Sequence, residues 1–416
     1  MKGRITKVCI AGLLCSGLIM STCAAYAGES KRNYDFDGKI SQEVLRNYLS
    51  RAVTINGLSF SPQKEDDIRM VKNIGAKFLG RVAYIWGNPW GDESGYWHEM
   101  KAVAERLHKD DPQYIIQACI FEAIHPGIDN VPVPDWVFKE FGLKPEHRNF
   151  RYKDTLFDND KMAGKWGSDG SVPDISKLET KMWFFYRAKM YIDCGYEGLH
   201  LGQIGMIGRA DPGYKNWKDV IDRIRRYAAK HARRHYIIID AHVNVQNDGN
   251  VPVVAGKILL DFFSFPTRPV EVPGEPMKAV LKVGHADTIY KRSPGGIHPS
   301  GWKCEHVPTL VEFDQCHASG REGQPNLGTP FVWGYEEATW FAHQPEEYRN
   351  EWLRYAWKWL KENDPNCHFQ MPGSIPMQVP IDGDNWYRAN TKSAASPHGF
   401  SQEETIKAIW AADSGK

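Results

Sequence analysis

Short apolar runs alternate along most of this chain with longer amphipathic stretches of helical period. Eight runs read as strands, at residues 52–57, 76–82, 114–122, 198–203, 236–243, 257–262, 309–314 and 367–371. Helical patterns fill most of the intervals. Ser61 and Pro62 open one that Gly75 ends, and a second runs through Leu107 after a loop carrying Trp86, Trp90 and Trp97. Asp174 caps a helix to Cys194, with Gly195 as its stop, and a basic helix spans 217–234. Pro276 opens one to Tyr290, Pro345 one to Leu360, and Ser401 with Glu404 forms a capping box for a last helix to Trp410. Residues 244–256 are too short and too broken by Gly and Pro for a helix, which makes the fifth-to-sixth joint the weakest.

Strand and helix in such alternation imply parallel pairing, because a parallel crossover needs a helix. The expected fold is therefore α/β, a single (β/α)8 barrel over about residues 45–415. The irregular stretch at about 123–172 is a long insertion after the third strand, longer than ordinary connections, which points to function.

The strands turn polar toward their C-terminal ends. Thr309-Leu-Val-Glu-Phe-Asp-Gln315 alternates with period two and puts Glu312 and Asp314 on one face. Asp240, His242 and Asn244 share a face in the same way. Parallel strands are ordinarily apolar on both faces, so such carboxylates are costly to bury without a partner or a task. In a barrel the C-terminal strand ends converge on one mouth. Asn56, Arg81, Glu122, His200, Gln203, Asp240, His242, Asp261, Glu312 and Asp314 would gather there, with Asp261 read as structural.

Two carboxyl groups, one protonated and one ionised, are the minimal apparatus for hydrolysing a glycosidic bond. Glu312, Asp240, Asp314 and Glu122 are the catalytic candidates. Glu336 and Glu337, in the loop after the seventh strand, open a helix, and Glu337 is carried as a substrate-binding candidate. Arg81, Trp86, His200, Gln203, His242, Trp302 and Trp333 are the others. On these residues the chain resembles the secreted barrel glycoside hydrolases, and Glu312 looks like their nucleophile position at the end of the seventh strand. That resemblance implies a carbohydrate substrate. The chain departs from the pattern at the fourth strand, where Leu199-His-Leu-Gly-Gln203 offers no carboxylate for the acid/base role. The acid must then come from elsewhere, such as Asp240 or Glu122, or the reaction inverts.

Two alternatives stay open. Glu122, His200, Asp240 and His242 could hold a divalent metal in a metal-dependent hydrolase or sugar isomerase, although no HxH stands on the first strand and no HExxH occurs. A non-catalytic barrel that only binds glycans would keep the stacking tryptophans and dispense with Glu312. The leading expectation needs no cofactor.

The N-terminus changes the picture of where this happens. Lys2, Arg4 and Lys7, the apolar run 8–20 and Ala25-Tyr-Ala27 read as a signal peptide over residues 1–27, ahead of a catalytic domain over 28–416. The run is shorter than the roughly 20 residues that span a bilayer, so no membrane span is expected and the location is periplasmic or secreted. Loss of those residues takes the formal charge from +1 to −2, and without a basic run nucleic acid is not an expected partner. The remaining cysteines, Cys119, Cys194, Cys304, Cys316 and Cys367, are odd in number, with Cys304 and Cys316 the one pair near a common loop. The 15 tryptophans, many in loops, suit a ligand with stacking faces.

Overall fold

The computed structural model describes residues 32–87, 93–167, 170–245, 251–325 and 330–413. The leader expected over residues 1–27 and the loop residue Trp90 lie outside them.

The main sheet runs through β1 (Ala52–Ile55), β2 (Phe78–Ala83), β3 (Ile115–Cys119), β4 (Gly198–Gln203), β5 (Ile238–His242), β6 (Phe263–Pro266), β7 (Thr309–Glu312) and β8 (Cys367–Phe369). Neighbours along this series pair in parallel. Past Gln370 the chain continues as β9 (Met371–Ile381), which pairs in parallel with β1 and sets Met371 opposite Val53. Since β8 is bonded to β7, the ring closes, and the expected α/β barrel is what forms. β9 then overruns the ring and folds back on β10 (Asp384–Arg388) as an antiparallel hairpin, which the expected strand at 367–371 did not include.

Helices cover the outside where the sequence is amphipathic. α1 (Gln42–Leu49), α2 (Lys64–Ile74), α3 (Glu93–Asp110), α4 (Leu178–Asp193), α5 (Lys215–His231), α6 (Glu337–Ala342), α7 (Glu346–Asn363) and α8 (Glu403–Ala412) are the principal ones. Gly75 ends α2 in the left-handed conformation. One end of the barrel is plugged. Val44, Leu45, Tyr48 and Leu49 of α1 pack against Ala52, Phe78, Ile115, Ile238 and Leu310 at the starts of the strands.

Several expectations are corrected. The sixth strand is Phe263–Pro266 and not 257–262. Asp261 is pinned at the floor by Arg225, Tyr236 and the Ile239 amide, so the chain enters the ring only after it. Lys257–Ile258 belongs instead to a small separate sheet with Val253–Val254. The helix expected at 276–290 is absent. Val270–Glu271 and Ala279–Val280 form an antiparallel pair, and positive φ at Met277, Gly284 and Ala286 interrupts any helix there. Ser401 lies at φ 65° and accepts a hydrogen bond from the Lys392 amide, so α8 begins at Glu403 without the capping box. Asp174 caps a turn at Ser176, and α4 starts at Leu178. Cys304 and Cys316 are both free thiols. The insertion after β3 is not featureless; short 3-10 turns and a helix at Asp135–Glu140 pack it against α4.

Candidate active site

Glu312 closes β7 and is buried, with 3% of its surface exposed. Arg81 reaches it from β2 with two donors: Nε lies 2.9 Å from Oε2, and Nη2 bonds Oε1. His242 Nε2, from the end of β5, lies 3.0 Å from Glu312 Oε1, which makes that nitrogen the donor and fixes its tautomer. Gln370, between β8 and β9, bonds Thr54 Oγ1 and approaches Glu312 Oε2. Burial alone would raise the Glu312 pKa, but the Arg81 charge and the His242 and Arg81 hydrogen bonds override it and hold the carboxyl far below the usual range. Glu312 is thus a buried carboxylate that stays ionised at neutral pH.

The backbone is shaped to permit this. Arg81 sits at φ 63°, a left-handed conformation rare for a side-chain-bearing residue inside a strand. Its neighbour Gly80 leaves room for Gln370, whose amide would lie 2.3 Å from any Cβ at that position. Local strain of this kind costs on the order of 1–3 kcal/mol and concentrates at functional sites.

Asp240 does face the barrel interior, as the alternation predicted, but it is fully occupied. Gln117 Nε2 and Ser264 Oγ each donate to it at 2.7 Å, and His200 Nδ1 lies 2.8 Å away. Burial lowers the His200 pKa despite Asp240, so the ring is neutral, with Nδ1 protonated toward Asp240. The His200 ring lies 4.9 Å from His242. His200 Nε2 and Asn56 Oδ1 are buried polar atoms with no hydrogen-bond partner among the described residues.

A cavity of about 250 Å³ opens beside this cluster, lined by Gln203, Arg209, His242, Asn244, Arg268, Asp287 and Asp314 among others. Arg268, just past β6, bridges two acids on its wall, with Nε 2.8 Å from Asp287 Oδ1 and Nη1 2.7 Å from Asp314 Oδ2. Against burial, the Arg268 charge holds Asp314 below the ordinary aspartate range. Glu337 lies behind them with no exposed surface. It accepts hydrogen bonds from the Thr267, Arg268 and Asp314 amides, and burial raises its pKa.

On the β3 side of the Glu312 cluster, Phe121 lies beside Arg81 and His200. Glu122, 4% exposed, accepts from Gln203 N at 3.0 Å and Gln203 Nε2 at 2.8 Å. Gly202, at φ 62°, permits that contact, since a Cβ there would lie 2.3 Å from Glu122 Oε2. Half-buried Trp166, from the insertion, donates to the Glu122 carbonyl and packs edge-on to Trp86, which lies against Phe121.

The mouth therefore gathers Glu312, Arg81, His242, His200, Asp240, Asp314, Glu122, Gln203 and Trp86. Three substrate-binding candidates are placed elsewhere. Trp302 stacks on His298 and donates to the Ile40 carbonyl at the plugged floor. Trp333 is buried with its indole N–H on the Lys278 carbonyl, and Glu337 is sealed beneath the mouth. Of the alternative metal set, Asp240 bonds His200 and the His200 ring lies beside His242, whereas Glu122 turns to Gln203 and His242 Nε2 to Glu312. Among the described residues, no three His, Cys, Asp or Glu side chains group to hold an ion.

Arg268, Asp287, Trp166 and Gln370 were not foreseen. Placing the sixth strand at 257–262 hid Arg268, whose signal was an Arg-Pro pair following the apolar run 262–266. Asp287 lay inside the stretch expected to be a helix.

No family model matches the sequence, and no curated protein matches it. Among solved structures, a GH113 β-mannanase from Alicyclobacillus acidocaldarius overlaps 87% of this chain and 97% of its own at 12% identity, with a TM-score of 0.40. An isomaltodextranase from Arthrobacter globiformis T6 overlaps 53% of this chain at 11% identity and a TM-score of 0.32, and this chain spans 40% of its length. The glycoside hydrolase domain of PelA from Pseudomonas aeruginosa overlaps 65% of this chain and 84% of its own, at 8% identity and a TM-score of 0.29. The barrel rests on its own strand order and not on these overlaps.

Proposed function

We propose that this chain is a glycoside hydrolase in which Glu312 is the ionised catalytic carboxylate. The observation that carries the reading is the clamp of Arg81 and His242 on Glu312 at the C-terminal end of β7. A carboxyl held ionised at neutral pH serves as nucleophile or base, not as proton donor. The second carboxyl is then Glu122, which stands at the β3 end of the mouth under Trp86 and Trp166. Asp240 is bound on both oxygens and acts by holding His200 in one tautomer. Sugar rings would stack on the aromatic wall, while Asn244, Asp287 and Asp314 offer partners for hydroxyl groups across the cavity. A periplasmic or secreted setting is part of the proposal and rests on residues 1–27.

One observation favours a second reading, a barrel that binds glycans without cleaving them. Both oxygens of Glu312 already carry hydrogen bonds, so a nucleophile would have to trade one away. Incubation with a panel of oligosaccharides, read by chromatography of the products, separates the two readings. A hydrolase releases fragments and loses that release in Glu312→Gln, whereas a binding barrel retains ligands and releases none.

A further inference from the structure

At the plugged end of the barrel, far in the fold from the mouth, a second cavity of about 460 Å³ lies between α1, the C-terminal half of α7 and the start of β8. One water occupies roughly 30 Å³, so this space would take a small organic molecule. Its wall is cationic. Arg32, Arg46 and Lys361 all line it, and Asp413 is the carboxylate bonded there. That carboxylate is already shared by Arg32, Arg51 and Lys361. Among the described residues Arg46 has no carboxylate partner; its Nη2 donates to the neutral Asn366 Oδ1 at 2.8 Å, and its Nε is buried without a hydrogen bond. Glu43, also on the wall, is exposed and makes no ion pair with Arg46 among the described residues.

His368, on β8, lines the same space and buries an Nε2 with no partner among the described residues. Its burial, with Arg46, Lys361 and Arg32 close by, lowers its pKa to about 3, so it adds no charge of its own and reports a positive surrounding field. Lys361 is exposed and Arg32 and Arg46 are part-buried, so the unfavourable group is the buried Arg46 Nε, which lacks an acceptor among the described residues. The remaining wall is apolar and partly flat, with Trp357, Leu360, Pro365 and Phe369.

We infer that this cavity is a binding site for a small molecule that joins an oxyanion, phosphate, sulfate or carboxylate, to a planar or apolar body. Arg46 takes the oxyanion, because a guanidinium presents paired donors to such a group. Trp357 takes the body. The site is independent of Glu312 and of any activity at the mouth.

The test is calorimetric titration of the full-length protein with inorganic phosphate and, separately, with phenyl phosphate, at low and high salt. Phenyl phosphate is expected to bind saturably and at least about tenfold more tightly than phosphate, since its ring buries apolar surface. Both affinities should weaken with salt. Arg46→Gln should weaken both ligands by about tenfold or more. Trp357→Ala, at a half-buried position, should weaken phenyl phosphate and leave phosphate unchanged. Circular dichroism melting of both variants checks that they fold. Absence of saturable binding, or equal binding in folded Arg46→Gln, overturns the inference. Equal affinity of the two ligands overturns the role of Trp357.

Discussion

Arg81 and Glu312, 231 residues apart in sequence, meet across the barrel mouth as a buried two-point ion pair. Neither group has enough water around it to stand alone. Removing one partner from a buried pair costs about 3–5 kcal/mol, because the other charge is left uncompensated. Arg81→Ala is therefore expected to lower stability by that order in chemical denaturation. Arg81→Lys keeps the charge but not the two-point geometry, so it should recover part of the loss. Wild-type stability in Arg81→Ala would mean that the pair is not formed in solution.

Acid should weaken this protein before the pair itself titrates. His298 has its pKa lowered to about 4 and His368 to about 3, in both cases first by burial. Unfolding exposes them at the ordinary value of about 6.5, so the unfolded chain binds more protons below that pH. Their contribution is complete above 6.5 and is lost progressively as the pH falls toward the folded values. Each contributes a slope of up to about 1.4 kcal/mol per pH unit in that window. The Glu312 carboxylate acts further down: its folded pKa is depressed, so its contribution stands above the unfolded value of about 4.3 and fades only in stronger acid. Denaturation midpoints between pH 7 and 4.5 should fall in the wild type and fall less in His368→Gln. A flat profile would remove both histidines from the account.

The barrel was legible because its strands are apolar on both faces and its helices carry the matching period. Thr309–Glu312 and Gly198–Gln203 stood out for the same reason that they matter, an ionisable or polar group ending an otherwise apolar strand. What the pattern could not carry was position along the axis. Trp302 and Trp333 look in sequence like any loop tryptophan, yet one sits on the floor and the other donates its indole N–H to a backbone carbonyl. Glu337 looked accessible because it opens a helix, but three backbone amides converge on it from β6 and β7. Arg268 was lost with the misplaced sixth strand, and Asp287 where positive φ at Met277, Gly284 and Ala286 replaces a plausible helix with a hairpin and turns. Period-based reading has no access to such positions.

The two aromatic regions give opposite expectations. Trp166→Ala removes a half-buried ring from the wall over Glu122 and should weaken glycan binding by roughly tenfold, in line with about 1–1.5 kcal/mol for an aromatic contact. Trp302→Phe, at the floor, should leave binding unchanged while lowering the melting temperature. Affinity electrophoresis in glycan gels, with a thermal melt of each variant, reads both. Loss of binding in Trp302→Phe alone would place the site at the wrong end.

Asp240 should act through His200 and not on the substrate. Asp240→Asn can present its amide N–H to His200 Nδ1, which inverts the tautomer and moves the ring proton to Nε2. Turnover should fall by about tenfold to a hundredfold, with the larger effect on kcat than on KM. A variant with unchanged kcat would show that the His200 tautomer has no part in the reaction.

The central claim is that Glu312 does chemistry. Glu312→Gln keeps the size of the side chain and removes the charge, at the stability cost of leaving Arg81 uncompensated, so a thermal melt of the variant accompanies the assay. The decisive measurement is kcat of wild type and Glu312→Gln on one cleaved oligosaccharide, with binding of the same sugar followed in parallel. The account predicts a loss of about a hundredfold or more in kcat with binding retained. Turnover within a few-fold of wild type in the folded variant would contradict it.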